Sequence, residues 1–317
     1  PGAMAKIDIR GAGTFANNNP LYIIDGMYSD ATPDFNPNDI ESVDVLKDAS
    51  AAALYGARAN NGVILVKTKR GRIGTPRISL NVYQGYITKP EKLNTLLGVA
   101  ERDQKLALLY RYGTYAQQGN LPIMLTDSLN PAFNGNTDYQ ELFFRPGGIQ
   151  NYDLSVSGGT ENINYRVSGG LYNEKGVVIN TGFKRYSFTS NVNFNFTKNL
   201  ELLTNFKVST MNRKEGRGTT EYIREGSYRN VYGINPIDMY SSLYQLSDET
   251  LDGILNPYEH QRNENINVDL TGVGELRYTF LKDFRISTRS IINYSTAKND
   301  FFSPSYMNGD GLAAGKA

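Results

Sequence analysis

No cysteine, no tryptophan and only one histidine occur in these 317 residues. A chain without cysteine can form neither a disulfide nor a thiolate site, and the same absence leaves its redox compartment open. A Ser–His–Asp triad would have to use His260, which falls in an expected loop and is read as a solvated side chain. Charge is balanced: 33 Lys and Arg against 32 Asp and Glu leave a net +1, which argues against an electrostatic nucleic-acid binder. No run approaches the roughly 18 to 20 apolar residues of a membrane helix, and mean hydropathy is −0.45. That excludes a helical membrane protein but not a β-barrel, whose strands alternate between lipid and water and average to a polar composition. Pro1-Gly2-Ala3-Met4 has neither a basic n-region nor an apolar run. The chain is therefore expected to be processed or to begin partway through a longer protein. What is abundant is 22 Tyr, 14 Phe and 31 Gly, a composition that suits strands and turns.

The first 75 residues read as a small mixed α/β unit. Leu21-Tyr22-Ile23-Ile24 is a short buried strand stopped by Asp25-Gly26, residue types that tolerate the positive φ of a tight turn. Residues 39–46 alternate polar and apolar, the mark of a half-buried strand. Asp48 through Gly56 reads as a short helix, with Asp48 as N-cap, a run of alanines and Gly56 as the stop. Gly62 through Thr68 is a further strand. From 76 to 317 the pattern changes to longer alternating strands. Between Arg185 and Phe196, Tyr186, Phe188, Val192, Phe194 and Phe196 share one face, with Ser190 the exception. Arg185, Ser187, Thr189, Asn191, Asn193 and Asn195 share the other. Comparable stretches lie near 78–88, 151–158, 163–172, 200–209, 266–280 and 284–294. The segment from Val99 to Tyr115 reads as helical.

Alternation fits either a soluble antiparallel sheet with its apolar face inward or a barrel wall with that face toward lipid. The connections favour the wall. Long ones, expected near 89–149, 173–184 and 212–264, alternate with tight ones at 159–162, 197–199 and 281–283, as in a barrel with loops at one rim and turns at the other. Strands of about 9 to 12 residues suit a tilted crossing of a bilayer.

One pattern is far more specific. Gly11 to Gly13, Asn19-Pro20-Leu21-Tyr22-Ile23-Ile24-Asp25-Gly26 and the run from Asn36 through Asp39, Lys47, Asp48, Tyr55, Gly56, Arg58 and Gly62 to Ile64 resemble the plug of the SusC/RagA family of TonB-linked outer-membrane transporters. Asn136 to Gln140, Ser155 to Gly159 and Lys184 to Phe188 resemble the family's first barrel hairpins. The resemblance implies the rear of a plug over 1–75 and the first part of a 22-stranded transmembrane antiparallel β-barrel over 76–317, about seven strands of it. It implies a Gram-negative outer membrane, lipid around the wall, a SusD-like surface lipoprotein as lid, and energy from TonB. The TonB box, the front of the plug and most strands are expected to lie outside these residues.

The function so implied is active import of an oligomeric nutrient, an oligosaccharide or a peptide. Import of iron chelates or a cobalamin-like cofactor is the alternative within transport, and an extracellular binding or adhesion sheet is the alternative outside it. No catalytic residue, cofactor or metal is expected. Asp25, Asp39, Glu41, Asp44 and Asp48 invite an acid/base or metal reading, but such sites need convergence, and these acids alternate on strand and cap positions. Capping and polar contact with a surrounding wall is the simpler role, with Arg10, Lys47 and Arg58 as partners of wall carboxylates. Asp25, Gly26, Asp39, Lys47, Asp48, Tyr55, Gly56, Arg58 and Gly62 are thus expected to be structural and gating positions. Asn17, Asn18 and Asn19 are the expected ligand-facing residues. Tyr110, Tyr112 and Tyr115 could stack on sugars or pack on a lid.

Overall fold

The computed structural model describes residues 9, 20–29, 36–47, 55–56, 59, 61–215, 241–248, 259–281 and 284–302. Two sheets divide the described strands. The smaller has four, in the order β2-β1-β4-β3: β1 Leu21–Ile24, β2 Met27–Ser29, β3 Ile40–Leu46 and β4 Val63–Thr68. Asp25 (φ 50) and Gly26 (φ 84) form the two-residue turn between β1 and β2, the geometry a right-twisted hairpin favours. β1 runs parallel to β4 and is apolar at every position because both its faces are covered. Leu21, Ile23, Ala59 and Val63 pack on one side, joined by Tyr55. Tyr22, Ile24, Ile64 and Val66 pack on the other, joined by Ile9 and Ile40. Each fully buried aliphatic side chain contributes about 1.5 to 3 kcal/mol. The strand expected over 39–46 is present but is not half-buried as its alternation implies. Val43 and Val45 are exposed and Ser42 is partly covered. Among the described strands β3 is an edge paired only with β4, and a bulge between Ile40 and Ser42 offsets its register. Most of the helix expected from Asp48 to Gly56 lies outside the described residues.

The larger sheet has seven antiparallel strands in sequence order: β5 Gly74–Ile87, β6 Gly147–Gly159, β7 Ile163–Lys175, β8 Thr181–Asn195, β9 Leu200–Glu215, β10 Arg262–Phe280 and β11 Phe284–Phe302. Its register separates the side chains into rows. Leu80, Leu154, Gly169, Phe188, Val208, Leu270 and Tyr294 stand side by side across all seven strands. One residue along, Asn81, Asp153, Gly170, Ser187, Ser209, Asp269 and Ser295 do the same on the opposite face. Leu80, Leu154, Phe188 and Tyr294 are exposed. A face this apolar and this open is a surface for lipid. At the end carrying the tight turns, Phe194 stacks on Phe196, and Phe280 stacks on both Tyr278 and Phe284. Clustered aromatics at a strand end match the girdle at a membrane–water boundary.

The strands are longer than the sequence pattern implies, from 13 residues in β6 to 19 in β10. Most of the excess is polar, as at Arg262 to Asn265, so alternation of apolarity fades before pairing does. This corrects one connection. The long loop expected over 173–184 is only 176–180, because β7 and β8 stay paired out to Lys175 and Gly182. It is scarcely longer than the turn at 196–199, so long and short connections do not alternate strictly. The other two long connections span 88–146 and 216–261, set by the ends of their flanking strands. All three leave from the same end of the sheet, here called the loop end. Among the described residues neither β5 nor β11 has a second neighbour, so the described sheet is an arc of wall and not a closed ring.

Candidate functional site at the plug–wall interface

The smaller sheet docks on the polar face of the larger one through three carboxylates. The Asp25 side chain, held out by its left-handed turn, accepts from the Thr68 amide at 2.9 Å and the Thr68 hydroxyl at 2.7 Å. From β9 it accepts Lys207 Nζ and Asn205 Nδ2, both at 3.1 Å. The pair is well covered, with side-chain exposures of 13% for Lys207 and 7% for Asp25. Burial alone pushes the Asp25 pKa up. The Lys207 charge and the Thr68 donors outweigh it and hold the carboxyl below its ordinary value. Gly26 belongs to the same contact, since a Cβ there would stand 2.8 Å from Arg289 Nη1 on β11. That guanidinium is itself fixed by Glu275 of β10, at 2.9 Å from Nε.

Asp39 closes a 3-10 turn, Pro37–Asp39, whose N-cap Asn36 accepts from the Asn38 amide. Its carboxylate accepts from Ser168 Oγ at 2.6 Å and Arg166 Nη2 at 3.3 Å, both on β7. The third contact has the opposite polarity. Asp153 of β6 accepts from the side-chain amides of Asn36 and Asn38. Gly170 makes room for it, because a Cβ there would meet Asn36 Nδ2 at 2.6 Å and Asp153 Oδ1 at 2.7 Å. Beside these, Asn191 Nδ2 donates to the Lys69 carbonyl at 3.0 Å.

The other motif positions fall elsewhere. Glu41 and Asp44 form exposed pairs with Arg72 and Lys67, at 3.4 and 3.9 Å. Lys47 follows β3 and is exposed. Tyr55 packs on the core of the small sheet. Gly56 (φ 74) and Gly62 (φ 93) adopt the backbone region that favours glycine. Asn17, Asn18, Asn19, Arg10, Asp48 and Arg58 lie outside the described residues. Among the described residues no three His, Asp or Glu side chains converge as metal ligands. The wall partners lie outside the motif. What marks them in the sequence is a lone charge bracketed by apolar neighbours in an alternating strand: Tyr152-Asp153-Leu154, Tyr165-Arg166-Val167 and Phe206-Lys207-Val208.

Comparison with known proteins agrees with this geometry. Residues 1–63 match the TonB-dependent Receptor Plug Domain family model. The chain is 31% identical over 309 residues to TonB-dependent receptor P26 of Formosa agariphila, across 95% of this chain and 29% of that protein. It is 32% identical over 284 residues to TonB-dependent receptor SusC of Bacteroides thetaiotaomicron, across 84% of this chain and 26% of that one. In fold it resembles the RagAB peptide importer in its open-open state, with a TM-score of 0.68 and 24% identity over 90% of this chain and 35% of that one. The chain belongs to the SusC/RagA family of TonB-dependent receptors. It spans less than a third of the length of the two curated receptors.

In this SusC/RagA-family receptor the small sheet is part of the plug and the large sheet part of the barrel wall. The carboxylate contacts therefore join plug to wall on the lumen side. A second assembly caps the loop end, built from the 88–146 connection and residues 241–248. Its helices are α1 Val99–Tyr112, α2 Tyr115–Gly119, α3 Ile123–Thr126 and α4 Tyr139–Phe143. The helix expected over Val99 to Tyr115 stops at Tyr112. The Gly113 amide caps Leu109, and Thr114 and Gln117 form a capping box that starts α2. Buried Glu101 ties the two segments together, accepting from Ser241 Oγ at 2.6 Å and the Ser242 amide at 3.0 Å. Burial pushes its pKa up, but donors on Lys105, Ser241 and Ser242 bring it below the ordinary glutamate value. Met124, Leu125 and Leu243 form the apolar centre of this cap.

Proposed function

We propose that the protein containing this chain imports an oligomeric nutrient, a glycan or a peptide, across the outer membrane of a Gram-negative bacterium. TonB supplies the energy, and a SusD-like surface lipoprotein closes the loop end, which faces outward. The observation that supports this most is the docking of plug carboxylates on a lumen face whose reverse side is apolar and exposed. A soluble adhesion sheet would have no reason to place its polar face on a plug and its apolar face outside. RagAB, whose fold the chain shares, is a peptide importer, which keeps peptides beside glycans as cargo. The chain itself performs no covalent step in this reading.

The test is uptake by cells carrying the full-length receptor, with and without TonB, together with purification of the receptor from its own membrane. TonB-dependent accumulation of a labelled oligomer and co-purification of a surface lipoprotein are expected. Uptake that persists without TonB would refute the energy coupling. Uptake restricted to iron chelates or a cobalamin-like cofactor would refute the cargo.

A further inference from the structure

The outward face of the large sheet carries its charges at one end only. In the register that aligns Leu80 with Tyr294, the outward cations are Lys175, Lys184, Lys214, Arg262 and Lys298. The outward acids are Glu264 and Asp300. All of them stand at the loop end, where five cations against two acids leave a net +3. At the turn end no outward position of the described strands is charged, and Phe194, Tyr278, Phe280 and Phe284 stand there instead. Charge needed only for contact with water would serve both rims and carry both signs.

Both acids are already engaged. Glu264 accepts from Lys214 Nζ at 3.1 Å and from Asn212 Nδ2 at 2.7 Å. Asp300 pairs with Arg262 at 3.2 Å. Lys175, Lys184 and Lys298 are exposed, and no ion pair to them occurs among the described residues. Lys175 and Lys214 flank Gly182 in one row across β7, β8 and β9, and Lys184 lies two residues along β8. Gly182 puts no side chain between them, so three amines can meet over one position, from strands about 10 Å apart at the outside. Such a cluster suits a group with several anionic oxygens.

The height of the cluster names what that group is attached to. Tyr152 and Tyr186 share the row at which the apolar band ends. Lys184 stands one outward step beyond Tyr186, about 7 Å along the strand and about 5 Å higher at a tilt of about 40°. That is the level of lipid headgroups, which a lysine reaches by laying its stem along apolar surface and its amine among them.

We propose that the outward lysines at the loop end bind the headgroup phosphates of a lipid in the adjoining leaflet, with Lys175, Lys184 and Lys214 around one phosphate and Lys298 beside a neighbouring one. The inference rests on the reading above that the loop end faces outward. The leaflet is then the outer one, and the partner a phosphorylated glycolipid.

The experiment titrates the full-length receptor in detergent by native mass spectrometry. The probes are lipid A, lipid A stripped of its phosphates, phosphatidylglycerol and inorganic phosphate. The variants are the triple Lys175→Gln/Lys184→Gln/Lys298→Gln, the same triple to arginine, and Lys198→Gln at the turn end. All four positions are exposed, and circular dichroism checks that the fold is kept. Retention of lipid A about a hundredfold weaker in the glutamine triple, unchanged in Lys198→Gln and restored in the arginine triple, is expected. Equal retention by wild type and glutamine triple, or equal retention of the phosphate-free lipid, overturns the site. Displacement of lipid A by millimolar inorganic phosphate overturns its assignment to a lipid, and preference for phosphatidylglycerol overturns the glycolipid. Orientation is read separately, through Tyr115→Cys at the loop end, where Tyr115 is 93% exposed. A membrane-impermeant maleimide should label this variant on intact cells. Labelling only after lysis overturns the outward reading, whatever the lipid titration gives.

Discussion

Replacing Asp25 by alanine removes a carboxylate that accepts four hydrogen bonds, two from Thr68 within the plug and one each from Asn205 and Lys207 of the wall. The Lys207 side chain, 13% exposed, then loses the Asp25 carboxylate from its partners. Breaking a buried ion pair from one side costs about 3 to 5 kcal/mol. The lumen admits some water, so the lower end applies, about 3 kcal/mol. In the full-length receptor this should appear as faster hydrogen exchange at the β1 and β4 amides, by roughly a hundredfold if plug undocking is the opening event. Asp25→Asn with Lys207→Met removes both charges and should recover much of the loss, a coupling of about 2 kcal/mol in a double-mutant cycle. The pH dependence has a definite direction. The Asp25 pKa is depressed below 3.8 in the docked state, so the contribution is complete above that value. It fades as pH falls through the lowered pKa. Wild-type protection should therefore hold from neutral pH to about pH 5 and drop in stronger acid, while the Asp25→Asn variant should lack this step. Acceleration of less than about threefold in Asp25→Ala, or additive single effects in the cycle, would refute the claim that this pair holds the plug.

Gly26→Ala should loosen the same contact by about 1 to 2 kcal/mol, because it combines a φ of 84° with a Cβ 2.8 Å from Arg289 Nη1. Exchange at the β1–β2 hairpin reads it, and an unchanged rate would refute it. Glu101→Gln should separate residues 241–248 from α1, exposing the 88–146 connection to limited proteolysis without altering the wall; equal cleavage of variant and wild type would count against this. Leu154→Arg places a charge on the outward row and should cost about 2 to 4 kcal/mol in a bilayer. Arginine at outward Gln150, nearer the loop end, should cost about 0 to 1. Equal folding yields in lipid vesicles would mean that this face does not meet lipid.

Much of the architecture is legible locally because its causes are local. Asp25-Gly26 specifies a hairpin turn through backbone preference alone, and an unbroken Leu21–Ile24 run specifies a strand covered on both faces. Seven wall strands follow from period-2 alternation, which a sheet between lipid and water must show. The legibility ends where the cause is distant. The connection at 176–180 looks longer in the sequence because the ends of β7 and β8 are mostly polar, with Asn173, Glu174 and Lys175 on one and Thr181 and Lys184 beside a lone Phe183 on the other, and only their pairing extends them. The tie from Glu101 to Ser241 joins residues 140 positions apart, and no spacing rule reaches that far. The contacts of Asp25 and Asp39 are intermediate. The motif marks both acids, but their partners Lys207 and Arg166 emerge only when β7 and β9 are laid in register against the plug.

The polarity of the plug–wall contact has a mechanical consequence. An interface of aliphatic side chains would resist separation by about 25 cal/mol for every Å² exposed, and the whole area would have to be opened against that cost. Here the facing groups are carboxylates, amides, hydroxyls and the cations of Arg166, Lys207 and Arg289, all of which water solvates when they part. A net hydrogen bond of this kind contributes only about 0.5 to 1.5 kcal/mol, and the charged pairs more because they are covered. Among the described residues resistance is then concentrated in a few contacts on β6, β7, β8 and β9, with Arg289 of β11 abutting Gly26. Such a plug stays seated by the sum of its contacts and can leave by breaking them one after another. The rear sheet, with apolar packing on both faces of β1 and β4, is the part held together as a unit, so its release from the wall requires less work than its unfolding.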